Sequence, residues 1–300
     1  MNSPDALFSL IGFVLGLFPF PFMLFLLSLT YSFSYLSAQI FVLYTLSAFL
    51  LHLAISFAPS HYFTEARCSL SGNAWRAFVL GSAFSLSATT AVSSFLLLTP
   101  KSLLPFTLYL MLLSFFHWSE FYVTAKWNPA HCSIDVYMLT HSLEYALAVC
   151  ACAAEYWLEV LTTEHLYPML YQTPWCFRLF GLLICLSGEA LRKAAMITAS
   201  SNFSHIVAHT KHHNHVLVTH GVYGWFRHPA YVGWFLWVLG TQLLLGNPVC
   251  FVGYTVATFI FFRRRIEQEE RQLIHFFGSD YLEYQNRVGT GIPFVPGYVN

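Results

Sequence analysis

Two charged side chains, Arg265 and Glu269, stand one helical turn apart in Arg263-Arg-Arg-Ile-Glu-Gln-Glu-Glu270. At i and i+4 on a helix they share a face. A guanidinium offers a planar fork that meets a carboxylate at two points. A carboxylate beside it suits an ammonium or a hydroxyl group and can also hold the guanidinium. Upstream, Arg227-His-Pro-Ala-Tyr-Val-Gly233 places a proline where a helix can begin. The proline ring removes a donor that the first turn would leave unused. The amides after Pro229 then form an electropositive helix start, suited to a ligand carboxylate. Tyr223, His228 and Tyr231 would surround that ligand with aromatic faces and neutral donors. A competing reading takes these aromatics as a belt at a membrane surface. A second one takes the arginine run as a stop signal before a solvated acidic turn. Against the latter, Phe261, Ile266, Leu273 and Phe276 continue an apolar pattern past the charges.

The histidines are the more conspicuous feature. His205 and His209 have HxxxH spacing, and His209, His212 and His213 have HxxHH spacing. Boxes of these shapes hold iron in membrane desaturases, but such sites need several separate boxes. Here two partial boxes share His209 and no third occurs, so a solvated polar loop is the expectation and no metal is called for. The cysteines (Cys68, Cys132, Cys150, Cys152, Cys176, Cys185 and Cys250) contain no CxxC pair. They read as small apolar core residues.

The elements that must position these groups are membrane helices. The chain is 57% hydrophobic and 18% aromatic, with only 9% charged residues. Soluble domains carry about 25% charged residues, so the solvent of this chain is largely lipid. A net charge of zero argues against a nucleic-acid partner. A spanning helix needs ~20 apolar residues. Candidates lie at 8–29, 35–57, 74–98, 103–124, 134–161, 175–198, 231–245 and 248–262. The last two are short and form a hairpin at Gly246-Asn-Pro248. The first apolar run has no basic residue before it and no small-residue cleavage site, so it reads as a retained helix.

With eight spans and a cytosolic N-terminus, Lys101 and Arg178 alone among the lysines and arginines fall on the far side. That asymmetry puts both termini and the polar stretch after residue 198 in the cytosol. Within the spans, His117 with Glu120, Glu144 with His141, and Glu189 need either helix–helix hydrogen bonds or a polar cavity.

Taken together, Arg227-His-Pro-Ala-Tyr-Val-Gly233, Gly246-Asn-Pro248, Arg265-Ile-Glu-Gln-Glu-Glu270, Phe277-Gly278, Tyr281, Tyr284 and Gly291-Ile-Pro-Phe294 carry a family pattern. This pattern resembles the isoprenylcysteine carboxyl methyltransferase family over roughly the last hundred residues. The resemblance implies an all-α, polytopic protein of the endoplasmic reticulum membrane with about eight spans. It implies S-adenosylmethionine as methyl donor, S-adenosylhomocysteine as product, and no metal. Acceptors would be prenylated proteins processed at a CaaX motif, such as small GTPases, bearing farnesyl or geranylgeranyl cysteine.

Residues 1–198 would form helices one to six. Residues 199–300 would form the methyl-donor site within one integrated domain. Carried over by position, the donor pocket comprises Ala208, His215, Val216, Leu217, Val218, Tyr223, His228, Pro229, Ala230, Tyr231 and Glu269. Ala208 and Val216 match by neighbourhood only, and Ala208 has only its backbone to offer. Arg265 would be the catalytic residue facing the substrate carboxylate.

The chemistry agrees with the residues. A carboxylate is ionised at neutral pH and needs no general base to accept a methyl group. What remains is alignment, exclusion of water and electrostatic control. Three other readings use some of the same features: a phospholipid N-methyltransferase, an NADPH-dependent sterol reductase, and a transporter built on Glu144 and Glu189. The short span count and the Arg265-to-Glu270 run favour methyl transfer over sterol reduction, and the phospholipid N-methyltransferase, with the same donor and a different acceptor, is the nearer alternative.

Overall fold

The computed structural model describes residues 3–18, 70–96, 100–139, 142–165, 174–211 and 215–298. Among them the long elements are all helices: α1 (Pro4–Gly16), α2 (Leu70–Phe95), α3 (Leu103–Trp127), α4 (Leu143–His165), α5 (Trp175–Ala199), α6 (Pro229–Leu245), α7 (Pro248–Phe277) and α8 (Ser279–Arg287). Two stretches, Gly72–Phe95 in α2 and Leu143–Thr162 in α4, are long and apolar enough to cross a membrane. α1 and α6 are apolar but shorter, at 13 and 17 residues. The candidate span at 35–57, and residues 19–29 of the one at 8–29, lie outside the described residues. The chain forms two compact units, residues 1–173 and 174–300.

In the first unit α1 and α2 touch backbone to backbone. A Cβ at Gly12 would lie 2.3 Å from the Ala74 carbonyl oxygen, and one at Gly81 would lie 2.2 Å from that of Phe13. Small residues at such crossings let helix backbones pack where lipid offers no hydrophobic drive. Phe13 stacks on Trp118 of α3 at 4.1 Å. Tyr137 is the polar centre of this unit: its ring stacks on Phe121 at 4.2 Å. Its hydroxyl donates to Asn73 Oδ1 at 2.6 Å and lies 3.1 Å from Ser9 Oγ.

The helix expected over 134–161 is divided here. Ile134–Tyr137 is a 3-10 turn, Met138 is left-handed (φ 56°), and α4 begins at Leu143. His117, a fully buried residue of α3, braces both sides of the break. Its Nδ1 binds the Tyr137 carbonyl at 2.8 Å and its Nε2 meets the Tyr145 hydroxyl at 2.8 Å. Glu144 is exposed in the first turn of α4, an end of a helix that favours negative charge.

In the second unit α5 and α6 interlock through glycines seven residues apart. A Cβ at Gly188 would lie 2.5 Å from the Gly233 oxygen, and one at Gly240 would lie 2.7 Å from the Gly181 oxygen. α5 therefore groups with the elements that follow it. Glu189 on α5 pairs with Lys193 one turn later at 3.2 Å. Gly246 (φ 82°) ends α6. Arg178 Nη1 caps that end by donating to the carbonyls of Leu244 and Leu245, at 2.9 and 2.6 Å.

α7 runs 30 residues, well beyond the apolar stretch 248–262. Its length is about 45 Å, more than the ~30 Å of a bilayer's hydrocarbon core. It continues because Phe262 and Ile266, both wholly buried, pack with Ile292 and Val295 of the C-terminal segment. The extension carries Arg265, Glu269 and Glu270.

Candidate active site

The start of α6 is held from outside the helix. The amides of Arg227 and His228 donate to the carbonyls of Gly289 and Thr290, at 2.8 and 3.3 Å. Pro229 occupies the first turn, as its ring requires. The amides of Tyr231 and Val232 return to the His228 carbonyl, at 3.0 and 3.1 Å. The helix start therefore offers its positive end rather than the full fan of open donors read from the sequence.

A pocket lies at this helix start, and every residue that the resemblance assigns to the donor lines it. Three chain segments supply these residues, and Tyr281 and Tyr284 of α8 complete the lining. The loop after α5 brings Ala208 and the run from His215 to Val218; the turn before α6 brings Tyr223 and the run from His228 to Tyr231; α7 brings Glu269. His228 and Tyr231 are stacked at 5.5 Å with only 10° between their planes. The His215 ring meets Phe276 and Phe277 edge-on at 5.7 and 5.3 Å. The Val216 amide is committed to Asn202 Oδ1 at 2.8 Å, while its side chain points outward at 63% exposure. Lys211 pins the same loop by donating to the Phe276 carbonyl at 2.7 Å, with its ammonium 4.5 Å from the Phe277 ring. His209 is exposed, and His212 and His213 lie outside the described residues.

Arg265 stands beside this pocket, joined to it through Tyr231. Its Nε donates to the Tyr231 hydroxyl at 3.2 Å, and its Nη2 donates to the His205 carbonyl at 2.8 Å. The Tyr231 hydroxyl in turn donates to Glu269 Oε2 at 2.7 Å. The expected Arg265–Glu269 pair is thus bridged by a phenol rather than direct. Tyr223 lies against the last helix, its carbonyl accepting from Tyr284 Oη at 2.6 Å. Burial raises the Tyr223 phenol, and the nearby Glu269 charge adds to this, so it remains a neutral donor.

Sequence reasoning missed the keystone behind the pocket, Glu270. It is fully buried. Its Oε1 accepts from Arg227 Nε (2.8 Å), His228 Nε2 (3.0 Å) and Tyr281 Oη (3.1 Å). Its Oε2 accepts from the Tyr298 amide (2.7 Å) and Gln285 Nε2 (3.3 Å). Burial pushes this carboxyl upward, but bonds and charge from His228 and Arg227 more than offset it and hold it below the usual range. An ionised carboxylate only accepts, so His228 carries its proton on Nε2.

Arg227 is equally spent: beyond Glu270 it donates to the carbonyls of Gln285 (3.1 Å), Val288 and Pro296 (2.8 Å). One signal was present. Phe262, Ile266 and Glu270 recur at i, i+4, so Glu270 sits on the buried stripe of α7. Its neighbour Glu269, about 100° round the helix, faces the pocket instead. Among the described residues no group of three or more histidine, cysteine, aspartate or glutamate side chains is arranged to hold a metal.

Known proteins resemble the chain at every level. Residues 181–275 match the model of the isoprenylcysteine carboxyl methyltransferase (ICMT) family. The protein-S-isoprenylcysteine O-methyltransferase of Xenopus laevis is 51% identical over 222 residues, which are 74% of this chain and 73% of that one. The enzyme of that name from Saccharomyces cerevisiae is 42% identical over 63% of this chain and 80% of its own. The solved structure of the eukaryotic intramembrane Ras methyltransferase ICMT superimposes with a TM-score of 0.80 at 36% identity, covering 99% of this chain and 100% of that one. With that identity, coverage and shared fold, the chain belongs to the isoprenylcysteine carboxyl methyltransferase family.

Proposed function

We propose that the pocket at the start of α6 binds S-adenosylmethionine and that Arg265 holds the acceptor carboxylate beside it. The activity is methylation of the C-terminal carboxylate of a prenylated cysteine, and the protein is a membrane enzyme. The observation that carries the residue assignment is the convergence of three separate segments on one pocket that Tyr231 joins to Arg265. The donor set fits a zwitterionic nucleoside. Glu269 supplies a carboxylate for an ammonium or a ribose hydroxyl, the α6 N-terminus supplies positive potential for a carboxylate, and Tyr223, His228 and Phe276 supply aromatic faces. Bound there, S-adenosylmethionine supplies an activated methyl group on a sulfonium.

The chain's own residues then have to orient and desolvate. Arg265 fixes the acceptor carboxylate by two-point contact. Its bond to Tyr231 keeps the guanidinium beside the pocket wall, which favours near-attack geometry. No residue need take a proton, because the acceptor is already ionised at neutral pH. Glu269, through Tyr231, places the charge that receives the donor in register with the charge that receives the acceptor.

The setting follows from the same reading. A prenyl chain gains ~0.8 kcal/mol per CH₂ buried in lipid, so the acceptor arrives along the bilayer while the donor arrives from water. Eight spans, an endoplasmic reticulum location, cytosolic termini and CaaX-processed small GTPases as acceptors complete the proposal. Residues 199–300 form the donor site, with α5 as its scaffold. The test is incubation of purified protein with labelled S-adenosylmethionine and N-acetyl-S-farnesylcysteine. Base-labile methyl ester is expected; absence of both transfer and donor binding removes the reading.

A further inference from the structure

We infer that Glu270 is a positioning residue for the donor pocket and that residues 296–298 are the latch that completes its seat. This rests on the pocket being the donor site. Glu270 itself is sealed from the pocket, at 0% exposure. It acts through His228, which lines the pocket and donates Nε2–H to Glu270 Oε1. The two carboxylate oxygens divide their work. Oε1 gathers Arg227, His228 and Tyr281, whereas Oε2 gathers the Tyr298 amide and Gln285. Gln285 also donates to the Tyr298 carbonyl at 2.6 Å, and Arg227 donates to the Pro296 carbonyl at 2.8 Å.

Gly297 lies between those two carbonyls and makes the approach possible. Its φ is +91°, and a Cβ there would fall 2.1 Å from Glu270 Oε2 and 2.6 Å from Arg227 Nη2. Any other L residue is strained by the backbone angle and expelled by the ion pair. Undocking the segment strips Oε2 of the Tyr298 amide and Arg227 of the Pro296 carbonyl. A buried ionised pair with lost partners has to relax. The His228 ring, which lines the pocket together with Arg227 and Tyr281, carries that relaxation toward Glu269. Its Nδ1 lies 3.7 Å from Glu269 Oε2, and its face stacks on Tyr231. A tilt of this ring therefore shifts the groups that would hold the donor, while Arg265, bonded on one side to Tyr231, keeps its second anchor on the His205 carbonyl.

The experiment measures S-adenosylhomocysteine affinity by calorimetry in detergent, together with KM for donor and prenylcysteine acceptor, for wild type, Gly297→Ala and Glu270→Gln. The expected result is donor affinity weakened about tenfold in both variants, with acceptor KM held within about twofold. Gln285→Ala should show the same split in milder form. A folded Gly297→Ala with wild-type donor affinity overturns the inference, as do equal rises in both KM values. Should Gly297→Ala fail to fold, hydrogen exchange on the wild type decides. Bound S-adenosylhomocysteine should slow exchange at the Tyr298 amide together with that of the α6 start, and slowing at α6 alone overturns the latch. Wild type that binds no S-adenosylhomocysteine overturns the donor-pocket reading itself, an outcome separate from the others.

Discussion

Each unit of this protein buries a polar cluster, and the two clusters are made of different material. Around Tyr137 the groups are mostly neutral: the hydroxyls of Ser9 and Tyr145, the Asn73 amide and the His117 ring. Around Glu270 they are ionised, with Arg227 and the carboxylate at 3% and 0% side-chain exposure. Neutral partners lose little on leaving water and return a modest gain. An ion pair loses several kcal/mol per ion on burial and recovers it only when every donor and acceptor is met. The first cluster therefore ties helices together cheaply. The second is brittle, and it stands directly behind the pocket, where brittleness converts to precise placement.

The contrast breaks most sharply at Arg227. Removing one member of a buried pair costs about 3–5 kcal/mol. Arg227→Ala should accordingly unfold the second unit at a much lower temperature, read by thermal melting in detergent. Arg265 lies beside the pocket and outside the buried cluster. Arg265→Ala should lose about a hundredfold or more in kcat/KM with the melting temperature nearly unchanged, and lysine should restore little because it lacks the planar fork.

Acid tests the charged cluster when wild type is compared with Glu270→Gln. Glu270 is held below its ordinary value of 4.5 in the folded state. Its contribution is then complete above that value and is lost as pH falls through the lowered one. Wild type should show a flat melting temperature at neutral pH and a steep acid decline, and Glu270→Gln should start lower but decline less steeply. For the neutral cluster, Tyr137→Phe should cost about 1–2 kcal/mol, with no change in acid sensitivity. The smallest effect is expected at Gly253 of α7, where an added Cβ meets nothing within 4 Å. Gly253→Ala should stabilise by about 0.5–1 kcal/mol, in contrast to a clash at Gly188.

Much of the site was legible because its residues lie in short local motifs. Arg227 to Gly233 and Arg265 to Glu270 each announce a helix terminus or a helix face within seven residues. The loop residues Ala208 and His215 to Val218 were reached only through family resemblance, since nothing in their types marks a pocket wall. Arg265 and Glu269 share a helix face, but the Tyr231 hydroxyl inserted between them comes from another helix. Likewise Tyr137 reads as one more aromatic residue in an apolar run. Only its three-dimensional neighbours show that it centres a buried polar cluster.

By itself, the sequence determined the solvent, the helical class and the two charged motifs, Arg227 to Gly233 and Arg265 to Glu270. These follow from composition, period and motif, which are local properties. Tertiary structure alone decided which distant partners compensate the buried Glu270. It also decided that the arginine of the Arg-His-Pro motif serves the fold, and that Gly297 closes the cluster. The physical reason is that partners of Glu270 such as Arg227 and Tyr298 lie 43 and 28 residues away along the chain. Charge compensation over such separations is set by where packed helices bring the chain together, and no local pattern encodes it.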